Sequence, residues 1–221
     1  MVALLTASCP IALWIITAIN LAFTVLLLRK YAKTKNVLFL LSGLITTGLF
    51  YDAAILAFGT FMADGSLLAG LSRMRYVLHG GLIPLIFALC AHALDAKGFW
   101  LKAVWGLTIM LCALGIADGC IRELGVHTVA GVTRYISVSA PAWAEAVNSL
   151  LTFGTVIPLM IVGIVVWKKQ KTPNLFLAGF LMFAFSGLGA ACLELMFYIS
   201  MYGEVLMATF FYLYAIKKQP A

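Results

Sequence analysis

Asp52 and Glu204 are the residues of this chain best placed to do chemistry. Each carries a carboxyl group inside an apolar run, Asp52 in "LFYDAAILAFGTFM" (49–62) and Glu204 in "YGEVLMATFFYLYA" (202–215). A carboxylate near the centre of a bilayer costs on the order of a few kcal/mol or more unless it is paired, hydrated or protonated. Two such groups at one depth suit proton transfer, because one can hold a proton while the other is ionised. Arg75 and His79 are four residues apart, hence on one face of a helix, and add a fixed cation and a titratable ring beside the acids. Glu194 and Asn148 stand at span ends on the same side. Phe50, Tyr51 and Tyr202, next to the acids in sequence, are the aromatic groups expected near a ligand. The competing reading is structural: an Asp52–Arg75 or Glu204–His79 pair that only fixes helix packing. No metal centre is expected, since the three histidines are far apart and no CxxC occurs.

What must position these groups is a set of membrane spans. The chain has 221 residues, 64% hydrophobic and 10% charged, with a mean hydropathy of +1.07. That leaves too little polar surface for a soluble domain, so an integral membrane protein is expected. The fold class is all-α, a single transmembrane domain over 1–221. Seven segments approach the ~20 residues that cross a hydrocarbon core, at approximately 4–28, 37–62, 76–94, 99–118, 146–167, 174–194 and 197–216. Residues before 28 lack a basic leader and carry their charges after the apolar run, so they read as a span and not a secretory signal. The stretch 174–216 is too long for one span, and a tight turn near 195–199 divides it best.

Charge sets the sidedness. Arg29, Lys30, Lys33, Lys35, Lys97, Lys102, Lys168, Lys169, Lys171, Lys217 and Lys218 fall on one side of this topology, eleven of the 15 basic residues. The positive-inside rule makes that side cytoplasmic, with the N-terminus outside and the C-terminus inside. Of the 8 acidic residues only Asp95 shares it. The net charge of +7 is therefore a topology signal, and nucleic acid is not an expected partner. At ~1.5 Å per residue, Asp52 lies about ten residues and ~15 Å below the outer edge. Glu204 enters from span seven at a similar depth, so spans two, three and seven converge on the outer half.

The outer segment 119–145 contains "GVTRYISVSAPAWAE" (131–145), which reads as a short hairpin or lid over the outer mouth, or as an ordinary solvated loop. Arg134 could point from it toward Glu194 or Glu145. Pro84 and Pro158 can kink spans three and five, and Gly59, Gly80, Gly81 and Gly203 allow close helix approach. The five cysteines, Cys9, Cys90, Cys112, Cys120 and Cys192, read as small apolar packing groups.

Four stretches, "YDAAILAFG" (51–59), "RMRYVLHGGLIPL" (73–85), "GVTRYI" (131–136) and "YGEVLMA" (202–208), carry a resemblance that extends along nearly the whole chain. The sequence resembles the small seven-span integral-membrane terpene cyclases of bacterial and fungal meroterpenoid pathways. Those enzymes use one essential acid on the second span and another on the last, which fall here on Asp52 and Glu204. The fungal members carry Trp–Glu where this chain has Tyr51–Asp52, and a final-span Asp where it has Glu204. The resemblance implies a protonation-initiated isomerase of terpenoid biosynthesis. Asp52 would be the proton donor, with Glu204 its partner or the alternative donor. Arg75 and His79 would orient the acid or bind a polar headgroup, and Tyr51 and Tyr202 would stabilise cations. It further implies no cofactor, a lipid-soluble isoprenoid substrate surrounded by membrane lipids, and a place in the bacterial inner membrane.

Two other classes stay open. One is a different membrane lipid enzyme, such as an ether-lipid hydrolase, with Asp52 and Glu204 as general acid and base. The other is a non-enzymatic seven-helix receptor or transport protein. A retinal-binding opsin is disfavoured because Lys217 and Lys218 lie beyond the last span. A transporter is disfavoured by the lack of inverted halves with broken helices.

Overall fold

A computed structural model describes residues 2–218, with side chains from residue 5 onward. The extreme ends of the expected 1–221 domain lie outside the described residues. The helices are α1 (Val2–Thr34), α2 (Val37–Phe58), α3 (Ser66–Leu82), α4 (Leu85–Ala93), α5 (Gly98–Ile121), α6 (Ala142–Gln170), α7 (Asn174–Ala190) and α8 (Met196–Lys217). Between α5 and α6 lies one antiparallel hairpin of β1 (Glu123–Val129) and β2 (Val132–Ser139). The chain is thus an apolar helical bundle with a small β-element, and that hairpin is an addition to the all-α expectation.

Among the described residues six helical runs are long and apolar enough to cross a membrane: α1, α2, α3 with α4 as one run over Ser66–Ala93, α5, α6 and Leu193–Lys217. The expected sixth span is the exception. Its helix α7 has 17 residues, because the chain turns at Ala191–Cys192 and makes a short 3-10 turn, Leu193–Leu195, before α8. The break therefore precedes the expected turn at 195–199. The third span starts at Ser66 and not at 76, which places Arg75 inside a helix. Pro84 divides that run into α3 and α4, as its missing N–H and the clash of its ring require. Pro158, by contrast, sits inside an uninterrupted α6.

Burial separates a centre from a shell. The most apolar window of α2 is 72% buried, against 28% for those of α5 and α6. α2 is thus the central helix, while Ile109, Met110, Phe153, Ile157 and Ile161 face outward from α5 and α6, as lipid-facing residues do. One core packs Ile45, Leu49, Leu89, Leu159, Met207 and Phe211. A second, on the hairpin side, packs Cys9, Leu13, Leu56, Val132 and Tyr198.

The two ends of the bundle differ. At one, Gln170 donates to the Ala93 carbonyl at 2.8 Å, Lys217 to the Lys171 carbonyl at 3.2 Å, and Lys218 pairs with Asp95 at 2.8 Å. Tyr31, Phe39, Tyr212 and Ala215 pack together there, so the lysine-rich flanks of the helices collect at that end. At the other end, the hairpin turns through Ala130 and Gly131, both with positive φ, the geometry of a two-residue turn that matches strand twist. It docks on α2 through a Thr133 N–H to Gly59 carbonyl bond of 2.8 Å. A Cβ on Gly59 would collide with the Thr133 carbonyl.

Candidate active site

Three helices bring the polar groups together. Asp52 sits on α2 six residues before its last residue, Phe58, roughly 9 Å along the helix. That is closer to the hairpin end than the ~15 Å expected from span length, because α2 stops at Phe58 and not at 62. α3 presents Arg75, Tyr76 and His79. Its position is set by a backbone-to-backbone crossing with α5, where a Cβ on either Gly80 or Gly115 would strike the other's main chain. α8 supplies Glu204.

The Arg75 guanidinium lies 2.9 Å from one Asp52 oxygen, and His79 Nδ1 lies 3.6 Å from the other. One side-chain donor atom from each of Asp52, His79 and Glu204 falls within 4.8 Å of the others. Asp52 and Glu204 are 7% and 3% exposed, so both carboxyl groups are removed from solvent. Glu204 Oε2 and His79 Nδ1 are buried and find no hydrogen-bond partner among the described residues. No lysine or arginine lies within ion-pair distance of Glu204 among those residues either. The two acids therefore stand in different settings: one is clamped by an arginine, the other is not.

Both border a cavity of about 350 Å³, which Arg75 and His79 also line. Its walls are largely apolar, with Leu49, Ile83, Val156, Met182 and Met207 among them. Thr152, Phe153 and Phe183 line it and are also exposed, so the cavity reaches the flank of the bundle between α6 and α7. Those helices meet tightly further along, where Gly163 abuts the backbone of Phe176, and part toward the hairpin end. A cavity with a polar end, apolar walls and an opening on an apolar flank suits a lipid-soluble molecule.

Several sequence expectations are corrected. Tyr51 donates its hydroxyl to the Leu71 carbonyl at 3.3 Å, and Tyr202 hydrogen-bonds to Tyr198. Neither tyrosine lines the cavity, nor does Phe50. Helical rotation explains this: residues next to Asp52 or two from Glu204 point about 100° or more away. Glu194 is exposed on the 3-10 turn, away from the cavity. Arg134 reaches neither Glu194 nor Glu145. Its guanidinium lies 3.9 Å from the centre of the Phe197 ring. Burial, followed by the nearby Arg75 charge, pushes Arg134 down to about 10. Glu145 instead pairs with Arg122 at 3.4 Å.

Tyr76, Asp118, Phe153, Phe183 and Ser186 line the cavity without having been expected there. Tyr76 and Asp118 had a sequence signal. Tyr76 follows Arg75 on the same helix, and Asp118 is a further acid in an apolar run. Geometry adds an alternative to the expectation of no metal centre. Asp52, His79 and Glu204 form a donor set that could hold an ion, assembled from three helices and so without any spacing signature. Arg75 already compensates Asp52 in this arrangement.

No protein-family model matches the chain, and no curated protein matches it.

Proposed function

We propose that this chain is a membrane-embedded acid–base enzyme that initiates cyclisation of a lipid-soluble isoprenoid by protonating it. The observation that carries this reading is the contrast at the closed end of the cavity. Asp52 is held by Arg75 at 2.9 Å, while the neighbouring Glu204 has a buried oxygen without a partner among the described residues. A buried carboxyl group outside ion-pair contact with any lysine or arginine, next to one clamped by an arginine, is suited to carry a proton. Glu204 is therefore assigned as the donor and Asp52 as the fixed anion, which reverses the roles the resemblance implied.

The step balances without a co-reactant. Glu204 transfers its proton to a terminal alkene carbon or an epoxide oxygen, the cation is captured by successive double bonds, and the final cation gives up a proton that restores the Glu204 carboxyl group. The net change is isomerisation. Apolar walls exclude water that would quench the cation. Phe153 and Phe183, and not Tyr51 and Tyr202, are the aromatic residues at the cavity wall that would stabilise it, while the Tyr76 ring already carries the Arg75 guanidinium at 5.1 Å from its centre. A bacterial inner-membrane location, with the hairpin end outside, fits the collection of lysines at the opposite end.

The test is mass spectrometry of lipid extracts from cells that express the chain and are supplied with polyprenyl and prenylated aromatic compounds. A cyclised isomer of unchanged mass in wild type and its absence in Glu204→Gln are expected. Unchanged substrates with both proteins would sink the proposal. Metal-assisted lipid hydrolysis is favoured by one observation, the three donor atoms within 4.8 Å. It would appear as bound metal in the purified protein and as a hydrolysed product, gained in mass by water and lost on chelation.

A further inference from the structure

A second cavity, of about 240 Å³, lies at the lysine-rich end and is lined by Gln170, Thr172, Tyr214, Lys217 and Lys218. It has no part in the chemistry above. Local structure builds it. α6 ends at Gln170, and Lys171 turns the chain in a left-handed conformation with φ +54°. Thr172 then precedes α7, whose N-cap, Pro173, supplies no side-chain cap. The first N–H groups of α7 are thus left without a side-chain acceptor at the positive end of the helix dipole.

The lining is fixed and positively charged. Gln170 donates to the Ala93 carbonyl at 2.8 Å and accepts from the Tyr214 hydroxyl at 3.1 Å. Lys217 uses one of its three donors on the Lys171 carbonyl at 3.2 Å. Lys218 contacts the Ala93 carbonyl at 3.5 Å and Asp95 at 2.8 Å, and retains one donor. Every charged residue that lines the cavity is a lysine, and Asp95 is not among the lining residues. Thr172 is 2% exposed, and its hydroxyl has no hydrogen-bond partner among the described residues. Thr24, Ser42 and Ser72 also carry unpaired buried hydroxyls, but that of Thr172 belongs to a residue lining a cavity beside two lysines. Two ammonium groups and an unused hydroxyl line the cavity as donors, with the uncapped start of α7 two residues beyond Thr172, and an acceptor with several anionic oxygens would satisfy the lining donors together.

We propose that this cavity binds a phosphate group, either the headgroup of an anionic lipid or a free phosphate. The lysine-rich end would then carry a specific anion site in addition to its general attraction for an anionic leaflet. The full chain is purified in detergent and tested with two probes. One is native mass spectrometry with dioleoyl phosphatidic acid, against diacylglycerol as the phosphate-free control. The other is the melting temperature in the presence of inorganic phosphate, against chloride at equal ionic strength.

Wild type should retain phosphatidic acid over diacylglycerol, or be stabilised by phosphate, or both. Retention alone identifies the lipid headgroup, and stabilisation by phosphate alone identifies the free ion. Thr172→Val should weaken the response roughly tenfold, the usual size for loss of a hydrogen bond to a charged group. Thr172→Ser, which keeps the hydroxyl, should restore it. Lys217→Gln should also lose it, whereas Lys102→Gln, an exposed lysine on α5 outside the cavity, should not. The site is overturned if neither probe gives a response, if Thr172→Val responds like wild type, or if Lys102→Gln loses as much as Lys217→Gln.

Discussion

Two buried charge clusters occupy the hairpin half of the molecule, and they are resolved in opposite ways. Arg122, 4% exposed, is nearly saturated. It pairs with Asp118 at 2.9 Å, donates to Ser137 at 3.0 Å and to the Ala144 carbonyl at 3.2 Å, and lies 3.4 Å from Glu145. Its own carbonyl accepts from Arg73. Its side chain thereby ties α5, β2 and α6 together, and its backbone carbonyl adds α3 through Arg73. Around Asp52 the pattern is different. Arg75 compensates that acid and His79 lies 3.6 Å from it, yet Glu204 Oε2 has neither a hydrogen bond nor an ion pair among the described residues, and the group borders an open cavity. Asp118, Arg122 and Glu145 of the first cluster each have an ion-pair partner, whereas the second leaves the buried Glu204 without one among the described residues, so the first reads as scaffold and the second as the candidate site.

The contrast can be broken by substitution, and the largest effects are expected at the acids. Glu204→Gln keeps shape but removes the proton, and should lower turnover by roughly 10²–10⁴-fold, the range for general acid catalysis. Because Glu204 has no cationic partner to strand, its melting temperature should stay near that of wild type. Asp52→Asn should also lose activity but leave Arg75 uncompensated, with a destabilisation of about 3–5 kcal/mol. Arg122→Met should destabilise by a similar amount, about 3–5 kcal/mol, by stranding Asp118. Turnover per folded molecule should then fall far less than in Glu204→Gln, even though Asp118 lines the cavity. Equal losses of turnover for Arg122→Met and Glu204→Gln would erase the distinction between the clusters.

Smaller effects sharpen it. Gly80→Ala forces a methyl group into the α5 backbone at Gly115 and should cost about 1–3 kcal/mol, as overpacking does. It should also perturb activity, since Arg75 and His79 ride on the same helix. Glu194→Gln, on the exposed 3-10 turn, should be silent in both thermal melts and product assays, within about 0.5 kcal/mol. A clear loss of activity there would return Glu194 to the site.

Composition and apolar periodicity made the helices legible, since a chain with so few charges must bury its length in lipid. The hairpin was legible too, in the alternation around Thr133 and Tyr135, though a solvated loop remained an equal reading. Boundaries were less so. Nothing in an almost continuous apolar stretch marks the turn at Ala191–Cys192, and the charges at Arg73 and Arg75 hid the start of the third helix at Ser66. The site was half legible. Asp52, Arg75, His79 and Glu204 stood out because charge is expensive in an apolar run. Tyr51, Phe50 and Tyr202 misled because nearness in sequence is not nearness on a helix, where neighbours diverge by ~100°. Phe183 and Ser186 carried no signal, as they become cavity residues only through the divergence of α6 and α7. Of the two pairs the sequence offered, Asp52–Arg75 forms, and no spacing in the sequence says that Glu204 is left outside ion-pair contact.

The most direct measurement of the central claim is product formation and melting temperature recorded together for wild type and Glu204→Gln in lipid nanodiscs, with a polyprenyl substrate. Glu204 as proton donor requires that the variant melt with wild type and form no cyclised product. A variant that still forms the product, or one whose activity falls only in step with its melting temperature, would contradict it.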